Sequence, residues 1–249
     1  MATQTPQVVQ SGERTNGQGK AVSNMLLLSA SDRDYSLLRP HLEYLNLTHH
    51  LVIHEACDTI KYAYFPNAGL ISLVVAMRDG KTAEAGILGN EGFTGVPAAV
   101  GLSRDMLREV VQVAADGFRI EAQALQAVLQ SAPKVQMLLC RYAVLLGMQI
   151  SQTAACNRLH EIKQRLARWL LMTQDRINSD RLPITHDFLA TMLGTGRASV
   201  TLAARGLEKE QTIKNTRGIV VIVNRKKLEN CACECYQIIQ QYNGQLGLE

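Results

Sequence analysis

The chain has 249 residues, 47% of them apolar, enough for one large domain or for a domain of about 130 residues with a smaller companion. Its 26 Lys and Arg against 22 Asp and Glu leave a net charge of +4, and six cysteines are too sparse over this length for a disulfide scaffold. No run reaches about 18 apolar residues, so no membrane span is expected, and without an apolar leader the cytoplasm, with reduced thiols, is the expected compartment.

In chain order, residues 1–24 are polar, and "QTPQVVQSGERTNGQGK" reads as a disordered tail. "AVSNMLLLSASDRDYSLLRPHLEYLNL" predicts short helices with Leu26, Leu37, Leu38 and Leu42 inward. The texture then changes. "HHLVIHEA", "IKYAYFP", "GLISLVVAM", "TAEAGILG" and "REVVQVAADGFRIEA" are short strand candidates, with turns at "PNAG" and "RDGK". Many short strands with glycine-rich corners predict an antiparallel barrel or jelly roll over residues 25–133. Residues 89–101, "GNEGFTGVPAAVG", form a glycine-rich loop with one helical turn.

Residues 134–158 carry a helical period. Leu139, Ala143, Leu146, Ile150, Thr153 and Asn157 follow a 4-3-4-3-4 spacing, a coiled-coil seam that predicts homodimerisation. The alternative is a helix packed on its own barrel, and a helix this long has two sides to cover. Residues 159–230 then read as helix, helix, helix and a two-stranded hairpin with Gly218 at its turn. The span 160–230 holds 13 basic and 7 acidic residues, net +6, against 13 and 15, net −2, elsewhere. The positive charge therefore sits in the C-terminal third and points to a polyanion there. Residues 231–249 form a tail beginning "CACECY".

"MLGTGRASVTLAARGLEKE" sets two glycines inside a helical stretch. Thr185 can cap the preceding helix, whose apolar face is Phe188, Leu189, Met192 and Leu193. Gly194 can end that helix in left-handed geometry, and Thr195 can cap the next. Val200, Ala203, Ala204 and Leu207 would face inward. Arg197, Ser199 and Thr201 would point outward, with Arg205 further along. This is a helix-turn-helix pattern, whose second helix lies in the major groove of double-stranded DNA. Arg197 suits bidentate contact with guanine O6 and N7. In the hairpin, Lys214, Thr216 and Arg217 can hold the phosphate backbone, as can Arg225, Lys226 and Lys227 if they face the duplex. Amphipathic helices with a glycine corner also occur in domains that bind no DNA; the hairpin and the local charge favour DNA.

The order of elements resembles the cyclic-nucleotide-receptor and fumarate-nitrate-regulator (Crp/Fnr) superfamily of bacterial transcription factors, over about residues 25–230. The segment "LPITHDFLATMLGTGRASVTLAARGLEKEQTIKNTRGIVVIV" carries it, with the recurrent pattern of Gly194, Arg197 and Val200. The resemblance implies an α+β chain: an N-terminal double-stranded β-helix (a jelly roll like the cyclic-nucleotide-binding domain), a long dimerisation helix and a C-terminal winged helix-turn-helix. It also implies a homodimer on an inverted-repeat operator and contact with RNA polymerase. Two departures matter. Ala198 and Leu202 stand where cyclic-AMP-binding members carry glutamate and a second arginine. The effector loop keeps Gly89, Glu91 and Gly92, but Gly101 stands where the phosphate-binding arginine falls, with Arg104 and Arg108 out of register. A degenerate effector pocket of Gly89, Glu91, Gly92 and Arg104, and an input other than cyclic nucleotide, are therefore expected; a cyclic-AMP- or cyclic-GMP-responsive regulator is the alternative.

His41, His49, His50 and His54 read as surface and edge residues, and His160 and His186 as isolated. Cys57, Cys140 and Cys156 are widely spaced, the last two as buried helix residues. Cys231, Cys233 and Cys235 can reach one soft metal ion or oxidise to one another, although the spacing is not that of common zinc sites and an inert tail is the commoner outcome. No cofactor is expected. Ser31, Asp32 and His41 form no nucleophile elbow, and "GNEGFTG" lacks a phosphate-loop lysine, which disfavours an enzyme. A protein-interaction module would need an apolar face over residues 197–205, which reads as polar.

Overall fold

The computed structural model describes residues 10–244. The expected disordered tail is corrected from residue 10 onward; residues 1–9 lie outside the described part. Thr15 bridges to Ala21, closing a loop over buried Asn16, whose amide donates to Leu42 O at 3.0 Å. The buried Arg14 guanidinium donates to Leu27 O and Leu28 O and pairs with Asp32. A polar composition hides this because the satisfied polar groups are the ones that anchor the segment.

Helices α1 (Met25–Ser29) and α2 (Asp32–Leu38) start at Asn24 and Ser31, whose side chains accept from Leu27 N and Asp34 N. The helix expected beyond them gives way at Pro40 to a single 3-10 turn and then strand β1 (Glu43–Leu47). The predicted strands follow as β2 (Val52–His54), β3 (Tyr62–Pro66), β4 (Leu70–Ala76) and β5 (Thr82–Leu88). A 3-10 turn at Val96–Val100 leads to β6 (Arg108–Val113) and β7 (Ala115–Glu121).

All pairings are antiparallel, in two sheets ordered β1-β7-β3 and β2-β6-β4-β5, the jelly-roll solution. Alternation puts Ala63 and Phe65 inside and leaves Tyr62 and Tyr64 half-exposed. Phe65 stacks on Phe93 of the glycine-rich loop, which leans on Tyr142. Gly92 is required there: a Cβ on it would stand 2.0 Å from the Tyr142 hydroxyl.

Helix α3 (Ala122–Ser131) precedes α4 (Pro133–Leu159), with proline at the first turn where its missing N–H is no loss. The buried row of α4 is Val135, Leu139, Tyr142, Leu146, Gln149, Thr153 and Cys156, a regular heptad seam facing the chain's own core. The expected intersubunit seam is thereby corrected. Leu139, Leu146 and Thr153 are buried within the protomer, and Ala143, Ile150 and Asn157 flank them half-buried. The outward face carries Met137, Val144 and Met148, all exposed.

Next come α5 (Ile162–Ile177), β8 (Arg181–Leu182), α6 (His186–Met192), α7 (Arg197–Lys209), β9 (Ile213–Thr216) and β10 (Ile219–Ile222). The hairpin is three-stranded rather than two-stranded, because β8 adds to β10 in the order β8-β10-β9. Residues expected as a C-terminal tail instead complete α8 (Arg225–Cys231) and form α9 (Cys235–Asn243), burying Tyr236 and Ile239; residues 245–249 lie outside the described part. One apolar core joins the halves. Leu70, Val74 and Ile87 of β4 and β5 pack with Leu166, Trp169 and Leu170 of α5 and with Leu189 of α6. Among the described residues no helix is long and apolar enough to cross a membrane.

Candidate nucleic-acid interface

The corner between α6 and α7 is built as its residues require. The Thr185 hydroxyl accepts from Phe188 N at 3.2 Å and starts α6. Gly194 adopts φ +58. Its N–H donates to Thr191 O at 3.2 Å, and Thr195 N–H donates to Ala190 O at 2.9 Å. These two bonds make a Schellman cap, which needs a left-handed residue at 194. Gly196, not Thr195, is the N-cap of α7. Val200, Ala203, Ala204 and Leu207 are buried as expected.

Opposite them, α7 exposes Arg197, Ala198, Leu202 and Arg205. Arg197 Nη1 rests 3.3 Å from Asp187 in a solvent-exposed pair, of a kind that holds a side chain weakly. Ser199 and Thr195 are half-exposed. Thr201 is not free: its hydroxyl lies 3.2 Å from His186 Nδ1, and His186 Nε2 lies 3.2 Å from Asn215 Oδ1. The reading of His186 as isolated is thus corrected, since one imidazole ties α6, α7 and β9 together. Leu202, 73% exposed, adds an apolar side chain to a face otherwise carried by Arg197 and Arg205. At the hairpin tip Lys214, Thr216 and Arg217 are exposed, and Gly218 turns with φ +74. Arg225 faces inward to Asp175, Glu229 and the Tyr236 hydroxyl, so it anchors α8 and α9 and does not join this surface.

The glycine-rich loop meets α5 of the C-terminal half directly. Glu91 Oε2 accepts from Gly89 N at 3.0 Å, and Oε1 pairs with Arg176 Nε at 2.8 Å. Arg176, on α5 and buried, also donates to Met172 O and to Gln149 Oε1. Arg104 is exposed and bridges back to Thr59. The expected pocket of Gly89, Glu91, Gly92 and Arg104 is therefore not gathered: the first three form a junction with α5 and α4, and the arginine stands apart. Beside it, buried Glu84 accepts from Ser72 and from Trp169 Nε1, both at 2.6 Å. Desolvation pushes its carboxyl up to about 7 against these hydrogen bonds. Arg176 and Glu84 carried no sequence signal, because Glu91 and Arg176 stand 85 residues apart and only the docked helix brings them together.

The thiols divide differently from expectation. Cys231 Sγ donates to Glu210 Oε2 at 2.9 Å and leaves the group. Cys233 and Cys235 instead join Cys156 and His160, from the end of α4. The Cys233 thiol, 3.4 Å from Cys156 Sγ, holds Cys156 down at about 5 and is itself pushed up.

A corner helix presented beside a basic hairpin, behind a jelly roll and a long helix, defines a helix-turn-helix domain. Residues 164–231 match the Crp-like helix-turn-helix domain family. The fold is similar to that of the c-di-GMP responsive global regulator CLP of Xanthomonas campestris (TM-score 0.65, 14% identity, 77% of this chain and 99% of that one). It is likewise similar to FixK2 of Bradyrhizobium japonicum (TM-score 0.66, 13% identity, 77% and 98%). A Crp/Fnr-family protein of Eubacterium rectale aligns at TM-score 0.63 and 17% identity over 83% and 96%. At these identities the likeness is one of fold. No curated protein matches the sequence. The matched family model covers the C-terminal helix-turn-helix, and the structures show a shared fold over about four fifths of the chain.

Proposed function

We propose that the chain is a sequence-specific transcription regulator that binds an inverted-repeat duplex as a homodimer, with an input other than cyclic nucleotide. The carrying observation is the exposed Arg197 at the first position of α7, immediately after the rigid Gly194 corner. In the major groove its guanidinium would leave Asp187 for a guanine edge, while Ala198 and Leu202 offer apolar contact to thymine methyls. Ser199, Thr195 and Arg205 flank it. Lys214, Thr216 and Arg217 would hold the phosphate backbone and set the register. RNA polymerase is the further partner that the family resemblance implies.

Dimerisation is assigned to the outward face of α4. Met137, Val144 and Ser151 recur every seven residues, with Met148 between them and Gly147 leaving room for close approach. Two copies of α7 related by that axis would meet half-sites about one turn apart, roughly 34 Å. The non-nucleotide input rests on Glu91, whose carboxylate is already engaged by Arg176 and Gly89, and on Gly101, which offers no side-chain donor to a cyclic phosphate. Selection of bound duplexes from a random pool, followed by a mobility-shift assay, tests the reading. A palindromic consensus is expected, and equal affinity for all duplexes at moderate salt refutes specific recognition. Calorimetry with cyclic AMP and cyclic GMP tests the input: binding tighter than about 100 μM, near −5.5 kcal/mol, would return the function to nucleotide gating.

A further inference from the structure

We propose that Cys156, His160, Cys233 and Cys235 bind one tetrahedral zinc-type ion that fastens the C-terminal helices to the end of α4. One ligand atom from each residue lies within 4.8 Å of all the others. Sulfurs about 2.3 Å from a tetrahedral zinc stand roughly 3.8 Å apart, and a sulfur–nitrogen edge is slightly shorter. Cys156 and Cys233 are 3.4 Å apart, and Cys235 Sγ is 3.6 Å from His160 Nδ1. Only small adjustments, a slight opening of the Cys156–Cys233 pair among them, separate this arrangement from a closed three-thiolate, one-imidazole site. The four ligands are too close together for each to hold a separate iron of a cluster.

The backbone explains the convergence. Cys156 and His160 are four residues apart, so both project from one face of the last turn of α4. Cys233 lies in the break between α8 and α9 and Cys235 opens α9, so the turn between the two helices brings both thiols up to Cys156 and His160. The surroundings match a bound ion. His160 Nε2 stands 3.1 Å from Glu234 Oε1, the carboxylate–histidine pairing that directs the other ring nitrogen to a metal. Gln152 Nε2 donates to Cys235 Sγ at 3.1 Å. Three thiolates around a divalent cation carry one net negative charge. The buried guanidiniums of Arg165 and Arg168 both lie within electrostatic reach of Cys156, and the Nε of each is unpartnered among the described residues. The site closes over the joint between α4 and α5, because His160 ends the first helix and Glu161 caps the second.

The test is metal analysis of the full chain. Purified protein should retain one zinc ion per chain through gel filtration. The metal-stripped chain should bind one cobalt ion with the visible bands of a tetrahedral thiolate site, and stripping should lower the thermal midpoint. Cys233→Ser and Cys235→Ser should each weaken zinc by ~100-fold or more, and Glu234→Gln by ~10-fold. Cys231→Ser should leave it within twofold. The wild-type titration needs no variant and stands even if one misfolds. Less than half an ion bound by the wild-type chain at saturating zinc overturns the proposal. So does a Cys231→Ser loss equal to that of Cys233→Ser, which would mark simple chelation by the "CACEC" thiols.

Discussion

Replacing Glu91 by alanine removes the carboxylate that faces Arg176 across the junction between the jelly roll and α5. The Arg176 side chain is only 5% exposed and Glu91 18%, so the pair is largely shielded from water. Arg176 keeps two neutral acceptors, Met172 O and Gln149 Oε1, but its Nε–H and its charge lose their partner. Breaking a buried pair from one side costs about 3 kcal/mol or more, chiefly because the remaining charge stays desolvated. For a chain of this size each kcal/mol moves the thermal midpoint by about 2–4 °C, so the expected fall is roughly 6–12 °C. Urea unfolding followed by Trp169 fluorescence reads the same event, since Trp169 lies in the core shared by the two halves. Glu91→Leu combined with Arg176→Met should recover most of the loss, because an apolar pair of similar volume leaves no stranded charge. A midpoint for Glu91→Ala within ~1 °C of wild type, or a double variant no better than the single, would refute the account of this junction as a buried ion pair.

Other outcomes follow from the same geometry. Arg197→Ala should lose about 1–3 kcal/mol on the selected duplex and less on random DNA, measured by mobility shift; an equal loss on both would demote Arg197 to a phosphate contact. Val144→Glu with Met148→Glu should give monomers by light scattering with the fold intact, and a surviving dimer would place the interface elsewhere. Leu146→Glu, aimed at the buried row, should instead unfold the protomer. Burial raises the Glu84 and Glu109 carboxyls from 4.5 to about 7. Between those values the folded chain retains protons that the unfolded chain has released, so stability should fall as pH rises from about 4.5 to 7 and level off above, by at most about 3 kcal/mol per group. Glu84→Gln should flatten part of that slope in urea midpoints taken across the range; an unchanged slope would mean that Glu84 is ionised in the fold.

The sequence by itself determined the elements whose physics is local. Strand propensity and turn residues placed β2 to β5 and one further run that the fold divides into β6 and β7, the hydroxyl of Thr185 placed the start of α6, and the need for a left-handed residue placed the corner at Gly194. The helical period of residues 134–158 announced a long helix, but periodicity is symmetric about the axis. A heptad row says that a face is buried without saying what covers it, and the structure turned Leu139 and Leu146 to the chain's own jelly roll and Thr153 to Arg168 of α5. Composition misled wherever polar residues are anchors: Arg14 and Asn16 order a segment that reads as disordered, and His186 ties three elements while looking isolated. The Glu91–Arg176 junction and the grouping of Cys156 and His160 with Cys233 and Cys235 were decided by tertiary structure alone. Their partners lie far apart in the chain, and no local rule of spacing or propensity acts between residues that meet only when α5 docks on β4 and β5 or when α9 folds back onto α4.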